Sequence, residues 1–419
     1  MRIGLFTDSY PPFVNGVSTS VETLRDILVS KGHTVYVVTV GQTAKDYNYS
    51  EESKILQIPG IPLGIYDYRM TIIYPLKVIN KIKSWDLDVI HSHTELSMGI
   101  FARLFAKQYN IPLVHTYHTM YRDYTYYVSR NHKYFDLGCK KAVEYLSKFY
   151  CDNTADAFIV PTMKTYQLFR DEYHYDKDIY VVPTGVDAKR FYKEYANKQE
   201  IAKLKKQYNI KRKDFTIVFV GRLAQEKNVP FLFDCLEQTK NKNIKLIIVG
   251  YGPDEEKYKE EVKNRHLEDR IKFTGKVAWN SMPSYYQMAD AFITASKTET
   301  QGLTVIEALA SSLPVICIDD LAFKSAVIDN FNGRIFQDEI ECIEILDELS
   351  ENTKELESLA SKACPSIKKF SIETFGTNAL EVYNVAIANH LKRQNIVNKL
   401  LTSLKNRKRS NLNDRNSKS

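Results

Sequence analysis

Short apolar runs rich in β-branched residues alternate along the chain with longer stretches whose apolar residues recur every three or four positions. A short, nearly uncharged run suits a strand buried on both faces, and regular strand–helix alternation produces a parallel sheet covered by helices. In the first half these runs are RIGLFT, TVYVVTV, KILQI, DVIHSH, PLVHTYH and AFIVPT; in the second they are TIVFVGR, KLIIVG, IKFTG, AFITAS and PVICI. Helical stretches such as NVPFLFDCLEQ and LTVIEALASS follow them. The pattern predicts an α/β protein of two Rossmann-like units. Pro183, Gly185 and Asp187 in VVPTGVDAKRF break the periodicity, and a polar stretch from Lys193 to Lys213 leads to the second sheet. The expected organisation is therefore a first unit over 1–185, a second over 186–375, a helix over 376–395 returning to the first, and a basic amphipathic or disordered tail over 396–419. Ligands of open α/β sheets sit beyond the C-terminal ends of the strands, so two such units facing each other share a cleft.

Length agrees, because 419 residues exceed what one core usually supports. With 44% hydrophobic and 26% charged residues, the composition is that of an ordinary globular chain. No run approaches a membrane span, and MRIGLFTDSYPP leads straight into a strand without signal-peptide architecture, so the cytoplasm is the expected compartment. Six scattered cysteines without CxxC spacing point to reduced thiols rather than a disulfide framework or zinc cage. Charge is uneven: residues 391–419 carry nine Lys or Arg against one acid, Asp414, while the whole chain is only +7. The basic character thus belongs to the tail, which reads as an interaction segment.

The sharpest chemical signal is ASKTETQGLTVIEALASS. Glu299 falls in a loop leaving a strand, and Glu307 in the second turn of a helix opening at Leu303. Amides from Gly302 and Leu303 onward lie near that helix N-terminus, where free N–H groups suit a phosphate. Glu307 can accept hydrogen bonds from a ribose diol and Glu299 from sugar hydroxyls. In FVGRLAQEKNV, Arg222 and Lys227 occupy the turn between a strand and a helix, a placement suited to the growing charge of a departing diphosphate.

GRLAQEKN and TETQGLTVIEA together resemble the large retaining glycosyltransferase family with the GT-B fold, glycosyltransferase family four or glycosyl transferases group one, over the chain to about residue 390. IIVGYGPDEEKYK, with Gly250 and Gly252 in its turn, is a further family feature. The resemblance implies a nucleotide-sugar donor, no cofactor, a metal-independent hexosyl transfer and retention of anomeric configuration. It assigns Arg222, Lys227, Glu299 and Glu307 to the roles above, with Gly302 and Leu303 beside the donor. Gln301, where the commoner pattern has another residue, resembles the diacylglycerol glucosyltransferases, as does HTMYRDYTYYV.

In the first unit, TDSYPPFVNGVSTSV places Gly16 just before a helix whose cap is expected at Ser18 or Thr19; it resembles the family's glycine loop and is assigned to the donor diphosphate. There is no GxGxxG there, so a dinucleotide is not expected. His91, His93, His115 and His118 lack the accompanying ligand spacing of a zinc site, and the family reading puts His118 beside the donor sugar. Asp86 and Asp88 form a DxD pair expected to cap a turn rather than hold a metal. No carboxylate pair for a double displacement is evident, so the resemblance favours same-face substitution, a departing phosphate oxygen taking the acceptor proton.

The acceptor is read from amphipathic segments. Arg69 to Trp85 interleaves Ile72, Ile73, Leu76, Ile79 and Ile82 with Lys77, Lys81 and Lys83, which predicts a helix with a cationic side able to lie on anionic lipid. Tyr121, Tyr124, Tyr126, Tyr127, Tyr134 and Phe135 mixed with Arg122, Arg130 and Lys133 suit an interfacial rim. The tail sets Ile396, Val397, Leu400, Leu401 and Leu404 beside Lys399, Arg407, Lys408 and Arg409. Nucleic acid is not an expected partner, the body of the chain being near neutral. The expected function is transfer of glucose from UDP-glucose to diacylglycerol at the inner membrane face, by a peripheral enzyme. The alternatives are a soluble or polymeric acceptor, such as cell-wall or capsule polysaccharide, and a non-catalytic sugar-nucleotide-binding protein.

Overall fold

The computed structural model describes residues 1–13, 15–43, 47–62, 69–71, 74–125, 133–152 and 155–416, without side chains for 124, 133–135, 149–152 and 396–416. Two separate sheets carry the architecture. The first orders its strands β10 (Ile179–Val181), β9 (Ala157–Val160), β8 (Leu113–Thr116), β7 (Val89–Ser92), β1 (Arg2–Thr7), β2 (Thr34–Val40), β4 (Ile55–Ile58) and β3 (Asn48–Ser50). Only β3 is antiparallel to its neighbour. A short ribbon, β5 (Ile61–Pro62) with β6 (Arg69–Met70), stands apart. The second sheet is wholly parallel, in the order β13 (Ile271–Phe273), β12 (Ile244–Val249), β11 (Phe215–Val220), β14 (Ala291–Thr294), β15 (Val315–Ile318) and β16 (Gly333–Phe336).

All eleven strand-like runs of the sequence form strands. The apolar character of β7, β8, β9, β14 and β15 follows from burial at every position, which parallel sheets clad on both faces require. Missed were β3, β5, β6, β10 and β16, whose two to four residues carry too little pattern to stand out. Asp86 and Asp88 serve structure: Asp88 accepts the Arg2 amide at 2.7 Å and Asp86 pairs with the Arg2 guanidinium at 2.9 Å, fastening β1 to the turn before β7.

The Arg69–Trp85 helix is shorter than its pattern predicts. Arg69–Met70 pairs as a strand, Ile72 and Ile73 lie outside the described residues, and the helix runs only over Leu76–Lys83, starting after Pro75. It turns Val78 and Ile82 onto a core with Trp85 and Leu87, leaving Leu76 76% exposed. Its apolar face is thus largely spent on the fold. At the other end of the chain one helix spans Ile372–Asn416 without a break at 395. Phe375, Ala379, Val382, Tyr383 and Ala386 pack with Ile3, Leu5, Val21 and Leu24 of the first half, so the last helix joins the core of the first sheet. No described helix is long and apolar enough to cross a membrane.

Candidate active site

The loops that leave β11, β12 and β14 meet at one edge of the second sheet. Gly250, in the turn after β12, has φ +140°, and a Cβ there would lie 1.9 Å from the Gly221 carbonyl oxygen. Only glycine allows the two loops to approach so closely. Gly302 has φ +74° and turns the chain into the helix Leu303–Ala310; a Cβ would meet the Phe323 ring at 2.7 Å. Glu299 and Glu307 therefore flank a sharp corner, as their spacing predicts.

Arg222, Lys227 and Glu299 are all paired. Arg222 pairs with Glu226, which is buried, and Lys227 pairs with Glu299 across the loops. Burial drives the Glu299 carboxyl upward, but Lys227, Ser296 and Lys164 outweigh it and hold the group below its ordinary value. Glu307 is buried and accepts the Tyr286 hydroxyl at 2.6 Å. Burial pushes its pKa up to about 7, since one neutral donor and the distant Arg190 do not replace water.

The first sheet reaches this loop at four points. Thr162 donates to the Thr300 carbonyl at 2.6 Å, the Thr300 hydroxyl donates to the His118 carbonyl at 2.9 Å, and Lys164 spans the Lys297 carbonyl and Asp320, both at 2.7 Å. Gln301 accepts the Thr184 amide at 2.8 Å and returns a bond to the Thr184 carbonyl at 2.9 Å. The Thr184 hydroxyl also lies 2.8 Å from that of Ser20, on the helix Gly16–Ser30. His118, Glu299, Lys227 and the glycine-led helix are thus linked through one bonded seam. The space beside Gly16 is open: apart from its chain neighbours and its own helix backbone, a Cβ there would have no described atom within 4 Å. The cap of its helix is Asn15, accepting the Ser18 amide at 2.9 Å, in place of the expected Ser18 or Thr19.

Two family models match, glycosyltransferase family 4 over residues 14–190 and glycosyl transferases group 1 over residues 200–364. The alpha-monoglucosyldiacylglycerol synthase of Acholeplasma laidlawii is 34% identical over 94% of this chain and all of its own length. This chain belongs to the GT-B glycosyltransferases. The synthase of the same name from Streptococcus pneumoniae is 32% identical over 92% of the chain and 86% of its own length. Among solved structures, HepE of Anabaena in complex with UDP-glucose superposes with a TM-score of 0.72 over 92% of this chain and 99% of its own, at 17% identity, a likeness of fold. As a member of this family the chain is a glycosyltransferase, and both of these relatives are named for the synthesis of a glycolipid.

Within this glycosyltransferase the membrane-facing expectations stand apart from the seam. Lys77, Lys81 and Lys83 lie 4.2, 4.1 and 5.4 Å from the ring centres of Tyr47, Tyr49 and Tyr109 and touch none of the donor-side residues. The side chains of Arg407, Lys408 and Arg409 lie outside the described residues, as do Tyr126, Tyr127 and Arg130 and the side chains of Tyr124, Lys133, Tyr134 and Phe135. His91, His93 and His115 are buried and His118 is half-buried against His93, but among the described residues no three metal-ligating groups are placed to hold an ion. His115 Nδ1 faces the Ser92 carbonyl at 3.1 Å and must carry its proton there; its Nε2 lies 3.1 Å from Glu95. Burial holds the His115 ring neutral, so that nitrogen can only accept, and the bond forms when Glu95, whose carboxyl burial raises to about 7, carries its proton. Sequence reasoning missed Thr184, Lys164, Tyr286 and Glu95, because each acts through a partner more than 15 residues away. The one local trace was HSH, whose alternation puts His91 and His93 on one strand face.

Proposed function

We propose that this enzyme transfers glucose from UDP-glucose to diacylglycerol at the inner face of the cell membrane, with retention of configuration and without a metal. The observation that carries the reading is the identity to two monoglucosyldiacylglycerol synthases over more than nine-tenths of the chain, a span that takes in both halves. Acceptor choice belongs to the first half, so a match confined to the donor half would have said nothing of the lipid.

In this reading the uridine ribose hydrogen-bonds Glu307, the diphosphate lies between the Gly16 helix start and the amides at Gly302 and Leu303, and Arg222 and Lys227 balance its charge. Open space at Gly16 supports that placement, since a side chain there would occupy it. Glu299, held ionised by Lys227, accepts from hydroxyls of the glucose, and His118 lies beside the same sugar. The anomeric C–O bond to the phosphate breaks, the acceptor oxygen bonds the same face, and the freed phosphate oxygen takes the acceptor's proton. Two fixed cations make up the charge that a metal supplies in other transferases. A cavity of about 350 Å³ beside Lys164 and Lys297, lined also by Met120, Arg122, Asp123 and Leu321, mixes apolar and charged groups as the polar end of a glycerolipid requires.

Membrane contact is assigned to the Leu76–Lys83 helix, where exposed Leu76 stands beside Lys77, and to the basic end of the chain. The test supplies diacylglycerol in phosphatidylglycerol vesicles with radiolabelled UDP-glucose or UDP-galactose and identifies the glycolipid and its anomer by NMR. An α-glucosyl product is expected. Faster transfer to a soluble or polymeric acceptor, or a β product, overturns the reading.

A further inference from the structure

Behind His118 stands a second imidazole that the donor chemistry leaves unused. His93, at the C-terminal end of β7, places Nδ1 3.0 Å from Nε2 of His118, with ring centres 5.3 Å apart. Its own amide is fixed to the Phe6 carbonyl at 2.9 Å, and its ring lies against His91, centre to centre 3.9 Å. His91 is in turn held at both nitrogens, by Tyr383 at 2.8 Å and Thr116 at 2.7 Å. The His93 ring therefore has little freedom to turn.

A contact of two neutral imidazole nitrogens needs one donor and one acceptor, so each ring's tautomer depends on the other's. The remaining nitrogen of His93, Nε2, is buried with no hydrogen-bond partner among the described residues. A buried N–H without an acceptor is the costlier of the two ways to leave a group unmet, so the His93 proton belongs on Nδ1. It is then donated to His118 Nε2, and His118 carries its own proton on Nδ1. That nitrogen makes no hydrogen bond to the described residues. Burial lowers the His118 pKa to about 4 and that of His93 well below its ordinary value, in keeping with two neutral rings.

We infer that His93 is a positioning residue that holds His118 as the Nδ1–H tautomer, so that His118 meets the donor sugar as a hydrogen-bond donor in a fixed orientation. This rests on the placement of His118 beside the sugar. Without His93, His118 is free to move its proton to Nε2 and to turn, and only a fraction of molecules then presents the correct donor.

The test combines spectroscopy and kinetics on the full chain. Imidazole ¹⁵N NMR of the unsubstituted protein should show His118 protonated at Nδ1 and bare at Nε2. His93→Phe, which keeps a ring but no donor, should lower kcat for UDP-glucose about tenfold while UDP affinity changes less than about twofold. His93→Asn, whose amide N–H can stand where Nδ1–H was, should restore most of the loss. A His118 protonated at Nε2, a folded His93→Phe enzyme with undiminished kcat, or a His93→Asn enzyme no faster than His93→Phe overturns the inference. If His93→Phe does not fold, the NMR of the unsubstituted protein and the kinetics of His93→Asn still decide it. A His118→Ala variant of unchanged turnover overturns the underlying placement of His118. An essential His118 with a silent His93→Phe overturns this inference alone.

Discussion

Gln301 and Thr184 exchange two hydrogen bonds across the two halves of the chain, the amide of one side chain matching the backbone of the other at 2.8 and 2.9 Å. The pair is buried, so neither Thr184 group has water to fall back on. Gln301→Glu keeps the size but sets a carboxylate oxygen against the Thr184 carbonyl. It should destabilise the protein by about 1–3 kcal/mol in urea unfolding at neutral pH. Turnover should fall as well, because the same loop carries Glu299. A Gln301→Glu enzyme with unchanged midpoint would show that the seam contributes no stability.

Lys227→Ala should lower turnover about a hundredfold, corresponding to roughly 3 kcal/mol of lost transition-state stabilisation. The same change should alter stability in a pH-dependent way. Lys227 holds the Glu299 carboxyl below its ordinary value, so its contribution is present above that value and lost only as pH falls through the lowered one. With the cation removed, burial is opposed only by Ser296 and Lys164, so the carboxyl shifts upward and ionising it becomes a cost that grows as pH rises. Denaturant midpoints should therefore decline from pH 5 to 8 more steeply in Lys227→Ala than in the parent, and Glu299→Gln added to it should abolish the difference.

Glu307 titrates in the opposite sense. Its pKa of about 7 in the folded protein lies above the ordinary 4.5, so the folded state holds the proton more tightly and this group's contribution to stability falls as pH rises between the two. Hydroxyl donors from a ribose favour the carboxylate, so UDP affinity measured by calorimetry should rise as pH passes through about 7. In Glu307→Gln affinity should be lower throughout, and its ratio to the parent should widen with pH. A constant ratio would remove Glu307 from the nucleotide site.

Turnover should persist in excess chelator. Loss of activity that magnesium or manganese restores would count against Arg222 and Lys227 as the charges that balance the diphosphate.

Binding to phosphatidylglycerol vesicles in a flotation assay should fall steeply with salt, because surface attraction decays over about 10 Å at 0.1 M and each cation near the leaflet contributes about 1 kcal/mol. Leu76→Asp together with neutral residues at Lys77, Lys81 and Lys83 should weaken binding further. Equal binding to zwitterionic vesicles would transfer the attachment to another surface.

Local pattern determined much of this enzyme. Runs of β-branched residues are buried wherever they lie in a parallel sheet, so the eleven principal strands could be read directly, and the Glu299 to Glu307 spacing carried the loop and helix that hold both carboxylates. What the linear chain does not encode is which distant groups become neighbours. Ile79 and Ile82 had the spacing of a lipid-facing stripe, yet a core that also takes Val78 was close enough to bury Ile82 and partly cover Ile79, and Pro75 cut the helix short. Gln301 was visible as an unusual residue, but its partner lies 117 positions away and exists only when both sheets are folded. The shifted ionisation of His93, His118, Glu95 and Glu307 is likewise decided by tertiary structure, because it depends on the water each group loses and the partners it gains, and packing alone sets both.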